Sequence, residues 1–427
     1  MSKSTGEIGG TTAVQEQPAG KPPSLWRNKA FTLLWGSQAM SDLGSSMSQL
    51  AMPLLTLSIT GSPVQAGVVG TASAIVRLAC QLPAGVVSDR FNRKRLMLVA
   101  DAVRLVAYAL LAVLVVSDRV TLAWIVGITV VATIFHVAHE NAQFGAVRNV
   151  VPLDRVAEAT ARNEARRAAV SLVGPPIGGA LFGIARSLPF FADALSYLLS
   201  FIGVALIRQP MQQERSEPRE HPVKELTEGI RFTLSEPFLR AVLLIAPPIN
   251  LAFNGMLFAV IVILQQRGTP PALIGTVETL FAAGLLLGAL AAPTLARRVP
   301  LRLLVVGITW IGLALMASAA LFTGSILIGV PLGLAIMLGP ACNAALFGYQ
   351  ASVTPDRLQG RVMSVIFLAA MSLSSVSALL GGSLVHLIGG PATVLAFAGI
   401  MGVAALAATF SRGIRQMRPL AEAEPAA

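Results

Sequence analysis

The chain has 427 residues, of which 54% are hydrophobic and only 12% charged, and it carries a formal net charge of +11. A soluble protein of this length carries about twice that share of charge, so a globular core with a polar surface is excluded. The basic excess alone would suit nucleic acid, but in so apolar a chain it reads as loops at a membrane surface, and no nucleic-acid partner is expected.

Residues 1–29 are polar and contain Gly, Ser, Thr and Pro, without the short apolar core and small-residue cleavage site of a secretory signal. The first helix is therefore expected to be an uncleaved span. Apolar windows of about 19 residues predict spans near 30–58, 64–87, 96–116, 121–144, 168–185, 188–207, 238–264, 271–295, 302–321, 325–349, 362–386 and 391–410. Cys80 and Cys342 fall inside these runs and serve as small apolar residues. The longest interior break, "RQPMQQERSEPREHPVKELTEGIRFTLSEP", is polar, Pro-rich and mixed in charge. It divides the chain into a six-helix bundle at 30–207, a central loop at 208–237, a second six-helix bundle at 238–410 and a tail at 411–427. The fold class is thus all-α integral membrane, with twelve transmembrane helices in two pseudo-symmetric bundles.

The tails and every second loop hold 26 of the 32 Lys and Arg residues, which by the positive-inside rule places both termini in the cytoplasm of a multi-pass inner or plasma-membrane protein. Each half also enters its fifth helix alike, through "VPLDRVAEATARNEARRAAVSLVGPPIGGALFG" and "VTPDRLQGRVMSVIFLAAMSLSSVSALLGGSLV". In both, Pro and Asp-Arg open the segment and a Gly-Gly pair follows some 25 residues later. Such internal repeats mark transporters whose substrate site lies between two halves.

Polar residues inside a span are costly, and each is a site candidate by default. The first helix carries Gln38, Ser41, Asp42, Ser45 and Gln49 on one face; Asp42 is a candidate for coupling a proton or cation, or for a structural partnership with Arg77 on the second helix. The fourth helix carries "HVAHENAQ", in which His136, Glu140 and Gln143 share a face with His139 beside it. A His–Glu pair one turn apart can exchange a proton near neutral pH, because imidazole ordinarily titrates at about 6.5. The order His-x-x-His-Glu is not the zinc-binding His-Glu-x-x-His, and no metal is expected. On the seventh helix Asn250 and Asn254 lie one turn apart beside Pro247-Pro248, which should break the helix and free carbonyls towards a cavity. Glu278 on the eighth helix and Asp193 on the sixth lie in the outer thirds of their spans, and Asp101 and Arg104 on the third read as a pair near the cytoplasmic surface. Together these residues predict a mildly acidic cavity.

Between the second and third helices stands "GVVSDRFNRKR". With its Gly, then Asp-Arg, then Arg and Lys, it resembles the signature loop of the major facilitator superfamily, and Gly85, Asp89, Arg90, Arg93 and Lys94 occupy those positions. Asn92 replaces the usual second glycine, as a residue that tolerates left-handed backbone. On the fifth helix "GPPIGG" supplies Gly174, Pro175, Gly178 and Gly179, the core of a motif associated with drug-exporting antiporters of the superfamily, although Val170 stands where a further glycine is expected. The phrases "FGAVRNVVPLDRVAEATARN" and "PFFADALSYLLS" are similar to those of the branch that holds macrolide-efflux-like and enterobactin-exporter-like carriers.

The resemblance implies a secondary transporter, not an enzyme, that works in the lipid bilayer by alternating access, and a monomer is expected. It further implies that Asp89 and its arginines latch onto the start of the eleventh helix, "TPDRLQGR", in the outward-facing state, and that the first, fourth, seventh and tenth helices line the cavity. The superfamily's antiporters often place an Arg in the middle of the fourth helix; none stands there in this chain. The expected activity is export of a small amphipathic molecule in exchange for protons, with the proton gradient as energy source and no cofactor. The alternative is an importer or uniporter of a small metabolite on the same fold.

Overall fold

In the computed structural model the described residues are 25–212 and 222–416. The outer parts of the two predicted tails and residues 213–221 of the central loop therefore lie outside them. The first half comprises α1 (Lys29–Thr60), α2 (Pro63–Arg90), α3 (Arg93–Val116), α4 (Leu122–Val150), α5 (Val156–Ile184) and α6 (Leu188–Leu206). The short α7 (Pro222–Ser235) precedes the second half, which comprises α8 (Pro237–Gln266), α9 (Pro271–Arg298), α10 (Leu301–Ser318), α11 (Gly329–Met337), α12 (Gly339–Val353), α13 (Gln359–Ser372), α14 (Ser377–Ile388) and α15 (Gly390–Phe410), with α16 (Arg412–Arg415) at its end. The tenth span is α11 with α12, and the eleventh is α13 with α14 joined by a 3-10 turn over Leu373–Val376.

Among the described residues, eleven spans are long and apolar enough to cross a membrane on their own. The twelfth, α1, has 32 residues; its polar stripe dilutes its apolar character, and the helix is held in the bundle by packing against α5 and α6.

Local chemistry sets the helix ends. Asn28 accepts from the amides of Ala30 and Phe31 to start α1, and Gly61, at φ 64°, ends it in the left-handed region. Ser62 then caps α2, with Pro63 at its first turn. Asn92 departs from expectation: its backbone is extended, at φ −60° and ψ 115°, and its side chain accepts from Arg95 N at 3.0 Å. It serves as an N-cap, so no left-handed residue is needed at that turn.

Three further elements differ from the sequence reading. A helix, α7, occupies part of the predicted central loop. α5 begins at Val156, twelve residues before the predicted start, because "VAEATARNEARR" is held as helix by ion pairs of Glu158 with Arg155 and Arg162, both at 2.6 Å. α8 runs unbroken through Pro247 and Pro248, which lack the N–H groups that would bond the Leu243 and Leu244 carbonyls; the bends prolines impose are absorbed within the packed bundle, and the helix is not divided.

The apolar core shows how the halves meet. At the end of the bundle away from the termini, one core runs across both halves, from Leu50, Leu54, Leu111 and Ile125 to Met256, Val260, Ile274 and Phe397. At the end that carries the termini the core splits in two: Phe31, Met97, Ala146 and Val204 in the first half, and Leu239, Val305, Val362 and Ile414 in the second. The molecule is closed at one end and parted at the other.

The closed end is sealed by the repeated glycine pairs. A Cβ on Gly178 would lie 2.7 Å from the Met47 backbone of α1, and one on Gly179 would strike the carbonyl of Pro271 at the start of α9. In the second half a Cβ on Gly381 would lie 3.0 Å from the Gly255 carbonyl of α8, and one on Gly382 would strike the carbonyl of Pro63 at the start of α2. Each pair thus puts its first glycine on the leading helix of its own half and its second on the N-terminal proline of a helix in the other half. The sequence repeat is a repeat in space, built on small residues that let backbones touch.

Candidate functional site

A polar cavity of 260 Å³ opens into the parted end. Its wall comes entirely from the first half: Ser41, Asp42, Ser45, Ser46 and Gln49 of α1, Arg104 of α3, His136, His139, Glu140 and Gln143 of α4, and Arg166, Arg167, Val170 and Ser171 of α5. The stripe on the first helix and the His–Glu cluster on the fourth therefore face the same space. A larger hollow of 570 Å³ between α3 and α4 is lined by apolar residues such as Val106, Leu110, Trp124 and Val131; it is an outer surface suited to acyl chains.

Two carboxylates stand on the polar wall, each held by arginine. Asp42 Oδ2 lies 3.1 Å from Arg166 Nη2, and the same guanidinium donates to Gln38 Oε1 at 3.1 Å. Asp42 is thus paired with Arg166, and the alternative partner, Arg77, is elsewhere: its Nη1 lies 3.3 Å from Glu140 Oε2. Glu140 also faces Arg167 at 3.9 Å and His136 at 4.0 Å. The side chains of Arg77, Glu140 and Arg167 are 50%, 38% and 48% exposed, which marks the wet mouth of the cavity, whereas Arg166 is 3% exposed at its back.

The cavity is not mildly acidic. Three guanidinium groups, of Arg104, Arg166 and Arg167, line it with two carboxylates, of Asp42 and Glu140. Arg166 and Arg167 lay in a segment read as loop, and the spacing of Glu158 and Arg162 by four was the signal that a helix already runs there. Arg104 and Asp101 are not at the surface either; both are buried. Although α4 lacks an Arg in its middle, α3 and α5 send guanidinium groups into the same neighbourhood.

The other predicted residues fall outside this wall. Asn250 and Asn254 bond back to the carbonyls of Ala246 and Asn250, both at 2.9 Å. Glu278 is half-buried on α9. Gly174 meets Ser46 on α1, and Pro175 meets Gly275 on α9 through its carbonyl, so the GPPIGG segment belongs to the seal of the closed end.

In the signature loop, Gly85 lies within α2 facing Asn141, and Arg90 ends that helix, exposed. Lys94 Nζ donates to the Ala205 and Ile207 carbonyls at 2.9 and 2.7 Å, at the C-terminus of α6, where a cation suits the helix dipole. Arg93 donates to the Gly145 carbonyl at 3.0 Å and lies 3.5 Å from Asp89. These bonds of Arg93 and Lys94 stay within the first half. At the start of the eleventh span Arg357 bonds Glu228 of α7 at 2.6 Å, and Arg361 bonds the same carboxylate. Those two arginines, that of Arg357 foremost, hold the Glu228 carboxyl below the usual carboxylate range.

Twelve spans in two pseudo-symmetric bundles, with a charged cavity opening at one end, define a transporter of the major facilitator fold. The chain matches the transmembrane secretion effector family over residues 22–426 and belongs to it. It is 28% identical over 393 residues to the multidrug efflux pump Tap of Mycobacterium tuberculosis, covering 87% of this chain and 90% of that protein. It is 25% identical over 358 residues to macrolide efflux protein A of Streptococcus pyogenes, covering 80% and 85%. Among solved structures, a bacterial homologue of the lysosomal transporter Spinster, inward-facing and occupied, superposes with a TM-score of 0.69 at 13% identity, covering 91% of this chain and 97% of that one. An inward-facing bacterial homologue of ferroportin gives 0.63 at 16% identity, covering 92% and 98%. The chain is a multi-pass membrane transporter of a small molecule, on a drug-efflux branch of the superfamily, and not an enzyme.

Proposed function

We propose that this chain exports a small amphipathic molecule, a drug, antibiotic or secondary metabolite, from a bacterial cell by alternating access in exchange for protons. The observation that carries the reading is the pairing of a closed end, sealed by Gly179 on Pro271 and Gly382 on Pro63, with a charged cavity at the end bearing the termini. The Lys and Arg bias puts that end in the cytoplasm of the plasma membrane, so the cavity is the loading position of an exporter. One chain supplies both halves, and a monomer suffices.

Asp42 and Glu140 are the proton carriers of this reading, with His136 beside Glu140. Each carboxylate is matched to a guanidinium, so protonating it frees Arg166 or Arg77 and Arg167 to rearrange. Binding of substrate in the inward-facing state displaces the protons to the cytoplasm, and reloading from outside favours release there. The proton gradient supplies the energy. Relatives named for multidrug and macrolide efflux favour export over import. Cells expressing the chain should accumulate less of a macrolide than control cells, and Asp42→Asn should restore accumulation to the control level. Greater accumulation in expressing cells would reverse the direction.

A further inference from the structure

Behind the cavity, inside the first bundle, lies a second charged cluster that neither the cavity carboxylates nor the seal uses. Asp101 and Arg104 of α3, His139 of α4 and Asp193 and Tyr197 of α6 are all buried. Asp101 Oδ1 and His139 Nε2 face each other at 3.4 Å, and neither atom has a hydrogen bond in place. Asp101 Oδ2 accepts from Ser200 at 2.7 Å. Arg104 Nη2 lies 4.0 Å from Asp101 and donates to Ser41 Oγ at 2.8 Å, and its guanidinium lies 3.9 Å above the Tyr197 ring. The Tyr197 hydroxyl donates to Asp193 Oδ2 at 3.2 Å. Gly44 of α1 makes room for this carboxyl, since a Cβ there would lie 2.6 Å from Asp193 Oδ1.

Charge balance constrains this group. Arginine stays charged, and an ionised Asp101 offsets Arg104. His139 and Asp193 remain, and the cluster is neutral only if they hold one proton between them, as imidazolium with carboxylate or as imidazole with carboxylic acid. With no proton, or with two, an unbalanced charge is left on buried side chains, which is disfavoured. The other ionisable groups facing the cluster are Tyr108 on α3, His136 on α4, and Asp42 with Arg166 from α1 and α5; Asp42 and Arg166 already offset each other.

The two residues are reached differently. His139 and Arg104 touch the cavity, whereas Asp193 lies five residues into α6, a helix that starts at the closed end. We propose that the first bundle holds an exchangeable proton in this cluster, with His139 as its seat beside the cavity and Asp193 as its seat towards the closed end. Arg104 stands between the two seats, and its bond to Ser41 ties their occupancy to the α1 wall of the substrate path. The inference rests on the antiport reading only for the use to which the proton is put.

The chain has four histidines, so isotope-labelled histidine in the purified protein resolves each ring by magnetic resonance, and His139→Gln assigns the signal. In Asp193→Asn the cluster is neutral without the extra proton, and the His139 signal should lose its protonated form across the pH range in which the wild type shows it. Tyr197→Phe, which removes only the hydroxyl bonded to Asp193, should shift the His139 titration in the same direction by less, and it carries the test alone if Asp193→Asn does not fold. A His139 titration identical in wild type and variants overturns the shared proton. Wild-type flux without proton movement, beside a coupled titration, would refute antiport and leave the cluster's proton standing; proton-coupled flux with an uncoupled titration would refute this inference alone.

Discussion

Replacing Gly382 by alanine tests whether the glycine pairs seal the closed end. The new Cβ would strike the Pro63 carbonyl oxygen, with the Pro63 carbonyl carbon at 2.8 Å and Val64 Cα at 3.4 Å. All three are backbone atoms at the start of a helix and cannot swing aside as a side chain would. Overpacking of this kind costs about 1–3 kcal/mol, and the cost falls only on the state in which α14 lies against α2. With each 1.4 kcal/mol worth about tenfold, the ratio of closed to open at that end should fall by about 5- to 150-fold. Spin labels in a cysteine-free background at Asp118, in the loop after α3, and at the exposed Leu321, after α10, would report the width of that end. The variant should shift the distance distribution to longer values, Gly179→Ala should do the same through Pro271, and Gly127→Ala, whose Cβ meets nothing within 4 Å, should not. An unchanged distribution in a folded Gly382→Ala protein would refute the interlock.

Other residues give sharper readings of charge and capping. Arg166→Gln removes the partner of Asp42 and Gln38; breaking a buried pair costs about 3–5 kcal/mol, and because Asp42 is 31% exposed the loss should lie near the low end, with Asp42→Asn/Arg166→Gln recovering thermal stability but not transport. Glu228 has its carboxyl lowered by Arg357 and Arg361, so its contribution is present above the ordinary carboxylate range and is lost as pH falls through the lowered value. Limited proteolysis near α7 should accelerate on such acidification in the wild type and already at neutral pH in Glu228→Gln. Asn92→Ala should lower stability by about 1 kcal/mol through loss of the α3 cap, read as a fall in thermal midpoint.

The spans, their number and the pairing of halves were legible because apolar length and the position of Lys and Arg record the bilayer directly. The α1 stripe and the α4 cluster were legible as parts of one site because helical periodicity puts Asp42 and Glu140 on inward faces. What escaped was the partner of each charge. Arg166 was hidden because the α5 extension is stabilised by ion pairs and not by apolar residues, so a hydropathy window starts the helix twelve residues late. Asp101 and Arg104 looked like surface residues because a pair spaced by three is self-sufficient in water; only the packing of α3 against α6, which brings Tyr197 and Ser200 over them, buries the pair. The Gly-Gly repeat was visible as letters, but its role depends on Pro63 and Pro271, which sit across the interface and far away in sequence.

Export driven by proton exchange is tested most directly in inverted membrane vesicles, by following proton movement as macrolides, cationic dyes or siderophore-like compounds are added to wild type and Asp42→Asn. At least one compound should trigger proton movement in the wild type, and Asp42→Asn should abolish it. Compound flux with no proton movement, equal in both proteins, would contradict export by proton exchange.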